Sequence, residues 1–157
     1  MTILAACASI GLSLWVGGLT LFFLVVAPAS FRKLPKGEAG RWMGVLFPVV
    51  DRWSVGWGTV TCIALAGALL NRHFEPASLA LELPVGVMLL ITLHGAYVLH
   101  PQIQDLRRKI ALPEYAGTAR LEKFEFCFRN LHRNSVRIQM VNLVLGWYCL
   151  GILPRTL

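Results

Sequence analysis

The sequence predicts an all-α integral membrane protein, a bundle of four transmembrane helices. Three observations predict this fold class. Hydrophobic residues make up 56% of the 157 residues, they come in long runs, and the charged residues, 15% of the chain, cluster between those runs. A chain of this length has more apolar surface than one soluble domain can cover, and its runs are long enough to cross about 30 Å of hydrocarbon.

The first apolar run predicts a transmembrane helix over about residues 3–30. No charged side chain occurs before Arg32, so the run lacks the basic start of a secretory signal and is too long for the apolar part of one. Small residues recur every four positions along it and allow another helix backbone to approach closely. These positions are Ala5, Ser9, Ser13 and Gly17.

The second span is predicted over residues 53–71, which carry no charge. The preceding segment, about 38–52, is either an amphipathic interfacial segment or the lower part of a long helix kinked at Pro48. In the first case Asp51 and Arg52 form a weak neighbouring pair near the interface. In the second, Asp51 is an intramembrane acid and a functional candidate. A second small-residue face is formed by Ser54, Gly58, Cys62 and Ala66.

The third and fourth spans are predicted over about 83–103 and 135–153, with an amphipathic interfacial segment over about 114–134 between them. Four Lys and Arg lie within residues 32–41 of the first connection and eight lie in the third connection, but the second connection and the tail have one each. By the positive-inside rule both chain ends lie on the non-cytoplasmic side. We expect a bacterial cytoplasmic membrane.

Polar residues recur on one face of the fourth predicted helix, within roughly 80° of arc at about 100° per residue. They are His132, Ser135, Gln139 and Asn142. The third helix carries a broad polar face formed by His94, Tyr97 and His100. Matching depths across the two antiparallel helices at about 1.5 Å per residue predicts a ladder of polar contacts: His94 facing Asn142, Tyr97 level with Gln139, and His100 level with His132 and Ser135.

This polar seam allows two interpretations. One is hydrogen bonding between helices, since a polar group in hydrocarbon needs a partner. The other is a ligand site, with the histidines as haem or metal ligands or proton carriers. Only His100 and His132 form a histidine pair at similar depth, which makes them weak metal candidates. We therefore predict no cofactor and leave haem or metal open.

The four cysteines have no C-x-x-C spacing and are expected to be small buried side chains. Cations near the cytoplasmic edge are expected to reach lipid headgroups, since long basic side chains extend to the interface. These cations are Arg107, Arg108, Lys109 and Arg137. For Arg137 a pair with Asp51 is the alternative. No nucleic-acid recognition motif accompanies the basic charge, so nucleic acid is not an expected partner.

Four stretches in the same order resemble the transmembrane protein 205-like family, also called domain of unknown function 4149. They are SLWVGGLTLFFLVVAPASF, AGRWMGVLFPVV, LHPQIQDLRRK and FRNLHRNSVRIQMVNLV. The most specific motif positions are Trp15, Gly17, Gly18, Ala27, Pro28, Phe31, Leu131, His132, Ser135, Asn142 and Leu143.

The resemblance implies a small four-helix membrane protein, and some eukaryotic members are linked to drug resistance and secretory trafficking. It implies no reaction. The first helix is also similar to those of porphyrinogen-oxidising and copper-resistance membrane families, but it contains no histidine for haem.

No standard catalytic motif occurs in the sequence. The leading functional hypothesis is a non-catalytic accessory or structural subunit that docks against a larger membrane complex through its small-residue faces, with lipid and other membrane subunits as partners. One alternative is a haem- or metal-linked redox or metal-handling protein that uses the seam histidines. The second alternative is a small-solute or proton carrier.

Overall fold

The computed structural model describes residues 3–71 and 76–156, and these ranges confirm the predicted all-α class. They form four long helices. We name them α1 (α-helix Ile3–Leu21, π-helical turn Phe22–Val26, α-helix Ala27–Lys33), α2 (Lys36–Asn71), α3 (α-helix Pro76–His94, π-helical turn Gly95–Leu99, α-helix His100–Ile110) and α4 (Ala119–Thr156). A short 3-10 turn, Pro113–Tyr115, lies between α3 and α4.

Three segments within the described ranges are long and apolar enough to cross a membrane: Ile3–Lys33, Ala80–Ile110 and Ala119–Pro154. Large apolar side chains also cover the outside of the bundle, among them Leu90 with 68% of its surface exposed and Ile63 with 67%. An apolar exterior around an apolar core is typical of helices that face lipid. The helix α2, which contains the predicted second span, is not among the three.

The two segments predicted at the interface are continuous with the helices that follow them. The helix α2 already begins at Lys36 and runs through Pro48 without a break, so the long-helix alternative describes the structure. At 1.5 Å per residue its 36 residues extend about 54 Å, and the 38 residues of α4 about 57 Å, well beyond the hydrocarbon thickness of about 30 Å.

The helices α1 and α2 pack closely through small residues. A methyl group placed on Gly58 would lie 2.9 Å from the Trp15 ring, and one on Gly11 would lie 2.6 Å from Thr61 Oγ1. Trp15 is fully buried and belongs to the apolar core that α3 completes with Met88 and α4 with Leu143. The Gly58 position therefore serves packing inside the chain.

The predicted small-residue faces are divided between the interior and the surface. Ser54, Gly58 and Ala5 are buried, and Ser9 and Cys62 are half-buried. Ser13, Gly17 and Ala66 are exposed. Among the cysteines, Cys149 is buried and Cys62 half-buried, but Cys7 and Cys127 are exposed, which corrects the expectation of burial for these two.

Both π-helical turns stand just before a proline. In α1 the N–H of Ala27 bonds to the carbonyl of Phe22, ahead of Pro28. In α3 the N–H of His100 bonds to the carbonyl of Gly95, ahead of Pro101. A proline has no N–H for the carbonyl four residues earlier and its ring crowds that carbonyl, so the preceding turn widens.

The wide turn in α3 determines which residues face α4. In a regular helix Thr92 and His100 lie roughly 80° apart, since eight residues advance by about 100° each. The extra residue of the π-helical turn reduces this to about 20°. Thr92, Gly95 and His100 are all buried in the structure, which places one polar face of α3 against α4.

Candidate functional site

The centre of the candidate site is a buried contact between Asp51 of α2 and His100 of α3. Both residues are 7% exposed, and the Asp51 Oδ2 atom hydrogen-bonds with Nδ1 of His100. The predicted neighbouring pair of Asp51 with Arg52 is wrong. The carboxylate of Asp51 turns into the bundle, whereas Arg52 is exposed and donates from Nε to the Pro48 carbonyl at 3.3 Å.

The other ring nitrogen of His100 faces α4. Its Nε2 lies 3.4 Å from Ser135 Oγ, and Ser135 is 4% exposed. The Phe47 ring packs against the imidazole with centroids 5.2 Å apart. Asp51, His100 and Ser135, which we call the Asp-His-Ser cluster, thus link three helices through both nitrogens of one imidazole.

A row of buried polar side chains continues from this cluster along α4. Asn142 is fully buried and donates from Nδ2 to Thr92 Oγ1 at 3.0 Å. Gln139, 5% exposed, stands where α3 has Gly95, and a methyl group on Gly95 would lie 3.2 Å from Gln139 Nε2. The spacing along α4 places Ser135, Gln139 and Asn142 on one face, as predicted.

Two acceptors in this row have no hydrogen-bond partner in the described part of the chain. They are Oε1 of Gln139 and Oδ1 of Asn142. Ser54 Oγ and Trp15 Nε1 are also buried without one. A buried polar atom without a hydrogen-bond partner lowers the stability of the fold by about 1–3 kcal/mol. These four atoms therefore favour the binding of water or a polar solute in the interior.

The α3 half of the predicted seam is partly wrong. His94 is exposed and lies in a shallow surface groove beside Leu90 and Val141, and Tyr97 is 70% exposed. Thr92 and Gly95 stand opposite Asn142 and Gln139 in their place. The π-helical turn is the physical reason, because it turns Thr92 and Gly95 toward α4 together with His100.

His100 borders two cavities. The first, which we call the four-helix cavity, has a volume of about 430 Å³ and is lined by residues of all four helices, among them Phe23, Met43, His100 and His132. The second, the α2–α3 cavity, has a volume of about 540 Å³ and is lined by Asp51 and His100 among others. His100 therefore lines both cavities, and its partner Asp51 lines the second.

The four-helix cavity lies at the end of the bundle where α1 and α3 finish and α2 and α4 begin. Its polar side chains are His100, Gln104, Arg107 and His132, and the remaining lining is apolar. The Arg107 guanidinium lies 5.9 Å from the Phe128 ring centre, and the His132 ring stacks on Phe128 at 5.9 Å. His132 is half-buried and shares the cavity with His100, as their predicted similar depth suggested.

The remaining basic side chains point outward. Arg108 and Arg137 are exposed, and Lys109 pairs with Asp105 at 2.6 Å. This exposure is compatible with a headgroup role for Arg108 and Arg137, which stays a prediction. Arg107 differs from them, since it is half-buried and lines the four-helix cavity.

Within residues 3–71 and 76–156, no group of three or more His, Cys, Asp or Glu side chains is placed so that it could hold a metal ion. His100 has both ring nitrogens in contact with protein atoms. The described residues thus bring together His100 and His132 around one cavity without the ligand set that structural metal sites use.

The Asp51–His100 contact brings together side chains of α2 and α3 that are 49 residues apart in the sequence. The sequence contained one signal for it: in the long-helix alternative for residues 38–52, Asp51 is an intramembrane acid that needs a partner. The sequence also contained a signal for the altered face of α3, the proline that follows His100. Arg107 carried no signal that separated it from the basic residues beside it.

A family model for a domain of unknown function, DUF4149, matches residues 10–111. The match covers α1, α2 and α3, and so includes Asp51, His100 and Arg107. No curated protein and no solved structure matches the chain. Because the family model covers more than half of the sequence, the chain belongs to the DUF4149 family.

Proposed function

We propose that the protein moves protons through its helix bundle, with the Asp-His-Ser cluster as the group that accepts and releases them. The observation that carries the proposal is a buried ionisable pair, Asp51 and His100, in which both residues line the α2–α3 cavity and His100 also lines the four-helix cavity. Asp and His inside transmembrane segments are typical of proton relays. In this proposal α2 is the fourth membrane span, which places Asp51 at the depth of His100 in the bilayer.

The contacts of the imidazole support a transfer in balanced steps. In the first state Nδ1 carries a proton, which it donates to Asp51 in a hydrogen bond, and the Nε2 lone pair faces Ser135. Nε2 then takes a proton that arrives through the Ser135 hydroxyl, which is reprotonated from the water beside it. The imidazolium then releases its Nδ1 proton to the Asp51 carboxylate. Neutral Asp51 passes the proton to water in the α2–α3 cavity. Rotation of the imidazole then turns its protonated Nε2 toward Asp51 and its free Nδ1 toward Ser135, ready for the next transfer.

The polar row of α4 supports a path on the other side of the cluster. The free acceptors of Gln139 and Asn142 can each hold a water molecule by a hydrogen bond. The charged or titratable groups that line the two cavities beside His100 are Asp51 and Arg52 on α2, Tyr97 and Arg107 on α3, and His132 on α4. Among the described residues, six of the eight buried polar or charged side chains belong to the Asp-His-Ser cluster or to the contacts of this row, and only Ser54 and Thr61 lie apart from them.

Proton flux into liposomes tests the proposal. Purified protein is reconstituted with a trapped pH-sensitive dye, and a potassium diffusion potential drives the protons. We expect His100→Leu to reduce the flux about tenfold or more, as removal of a proton-transfer group does, and Ser135→Ala to reduce it less. The matched control is His94→Leu, which changes an exposed histidine of the same helix and should leave the flux unchanged.

Two outcomes would reject the proposal. In one, the wild type conducts no faster than empty liposomes. In the other, His100→Leu conducts as the wild type does while its melting temperature shows that it is folded. In either case the polar row serves hydrogen bonding between helices.

A specific observation also favours a docking role, as an accessory subunit of a larger membrane complex. Ser13 and Gly17 are exposed on α1, and apart from its own chain neighbours and helix backbone no described atom lies within 4 Å of the position that a methyl group on Gly17 would take. This part of the small-residue face is open to a helix of another membrane protein. A stable, partner-free monomer after extraction from native membranes in mild detergent would count against this role.

The same three residues occur in the order of a hydrolase triad, Asp, His and Ser. Ser135 is buried within a regular helix, whose backbone N–H groups are engaged and offer no oxyanion hole. Labelling of Ser135 by a fluorophosphonate would be needed to support an enzyme.

The remaining expectations are proposals of the same kind. We propose the transmembrane protein 205-like relationship, a bacterial cytoplasmic membrane, and both chain ends on the non-cytoplasmic side, supported by the basic connections. No cofactor is proposed. An absorption spectrum with a Soret band, or bound copper, zinc or iron, would revive the haem or metal alternative.

A further inference from the structure

The four-helix cavity has the size and lining of a small-molecule site. Its volume of about 430 Å³ lies in the range of about 300–1,000 Å³ that is usual for such sites. Most of the wall is apolar, with phenylalanine and methionine side chains such as Phe23, Phe31, Met43 and Met140. Methionine and aromatic side chains adapt to an apolar body of varied shape.

Arg107 gives one end of this cavity a positive charge. The described residues provide no carboxylate within 4.0 Å of it, although they contain pairs such as Lys109 with Asp105. Among the described residues the guanidinium faces the ring of Phe128, with 5.9 Å between the guanidinium carbon and the ring centre. An arginine that is half-buried among apolar side chains without an acid is typical of a group that binds an anion.

The sequence of α2 makes room for this arginine. A methyl group on Gly44 would lie 1.9 Å from Arg107 Nη1, so the guanidinium occupies the space that any other side chain would fill. Gln104, one turn earlier on α3, donates from Nε2 to the Gly44 carbonyl at 3.0 Å and joins the two helices there. Gly44 thus allows the positive charge to enter the cavity.

We propose that the four-helix cavity binds a single-chain anionic amphiphile, with its carboxylate or similar anionic head on Arg107 and its apolar body among the phenylalanine and methionine side chains. The positive charge of Arg107 at one end of the cavity complements the anionic head of the ligand, and the cavity volume suits one small apolar chain. Two-chain phospholipids and cationic amphiphiles are therefore competitors that the site should reject. This site is separate from the proton-transfer role of Asp51, although His100 borders the same cavity.

Binding of radiolabelled dodecanoate to the full chain tests the proposal, in nanodiscs of zwitterionic phosphatidylcholine. We expect saturable binding at one site, weakened about tenfold or more by Arg107→Gln. Gly44→Ala should weaken it as well without loss of folding, because the methyl group displaces only the flexible end of Arg107. The matched control is Arg108→Gln, which removes the same charge from the adjacent exposed position and should leave the affinity unchanged.

Three results would overturn the proposal. Equal loss of affinity in Arg107→Gln and Arg108→Gln would mean attraction to a basic surface. Equal binding of dodecyltrimethylammonium would mean apolar partition without charge recognition. Displacement of dodecanoate when the nanodiscs contain phosphatidylglycerol would assign the cavity to a bilayer lipid headgroup. Because none of these readouts depends on proton flux, failure here leaves the proposed function untouched.

Discussion

At the scale of single residues, Asp51 and His100 are stable in the interior only because each provides the hydrogen bond that the other needs. Removing one partner and leaving a buried carboxylate or imidazole unpaired destabilises the folded state by far more than the intact contact stabilises it. The surface pair of Asp105 and Lys109 differs, since both side chains are largely exposed and solvent screens their attraction. The buried contact of Asp51 and His100 is therefore expected to matter for stability, whereas the exposed pair of Asp105 and Lys109 is not.

This difference predicts the effect of two matched substitutions on stability. Asp51→Asn should lower the free energy of unfolding by about 1–3 kcal/mol, because the neutral amide oxygen accepts a weaker hydrogen bond from His100 than the carboxylate does and the amide N–H groups stay buried. Asp105→Asn should change it little. Thermal unfolding of both variants in the same detergent checks the pair. Equal melting temperatures for the two variants would contradict a buried Asp51.

At the scale of the helices, the π-helical turn of α3 decides which side chains enter the bundle. It adds one residue to the turn, and the hydrogen bond of His100 to Gly95 spans five residues instead of four. Removing one residue inside that turn should restore an α-helix and leave both flanking segments on their present faces. Removing one residue elsewhere should rotate everything beyond it by about 100°.

Two deletions of exposed apolar residues test this. Deletion of Val98 falls inside the π-helical turn and deletion of Leu90 in the regular part of α3, and both side chains are exposed. Both deletions are made together with Pro101→Ala, so that the restored α-helix contains no proline at that position. We expect the first variant to fold with nearly the melting temperature of Pro101→Ala alone and the second to lose most of its stability, since His100 turns away from Asp51. Size-exclusion elution and thermal melting are the measurements. A second variant as stable as the first would contradict the role of the turn.

At the scale of the whole molecule, the features that depend on the average polarity of long segments could be predicted from the sequence. The all-α class, the apolar helices and the polar stripe of α4 follow from hydrophobic runs and from a spacing of about 100° per residue. The facing surface of α3 did not, because a single extra residue before Pro101 changes the face by that angle. His94 and Tyr97 were assigned to the interior for this reason.

Contacts between distant helices were the other part that pattern alone did not provide. Asp51 and His100 are 49 residues apart, and the sequence offered Arg52 as a nearer partner. The inward direction of Arg107 depends on the space at Gly44 in another helix. Such contacts are decided by packing geometry, which local charge and hydropathy do not contain.

The central claim is that Asp51 pairs with His100 inside the bilayer, and solid-state NMR of the protein in lipid bilayers tests it most directly. With labelled aspartate and histidine, a cross-peak between the Asp51 carboxyl carbon and His100 Nδ1 reports their contact, and lipid-chain contacts of the exposed neighbour Val49 report the depth. We predict the cross-peak and contact of Val49 with acyl chains but not with bulk water. A carboxyl carbon correlated with the Arg52 guanidinium instead of His100 would contradict the claim.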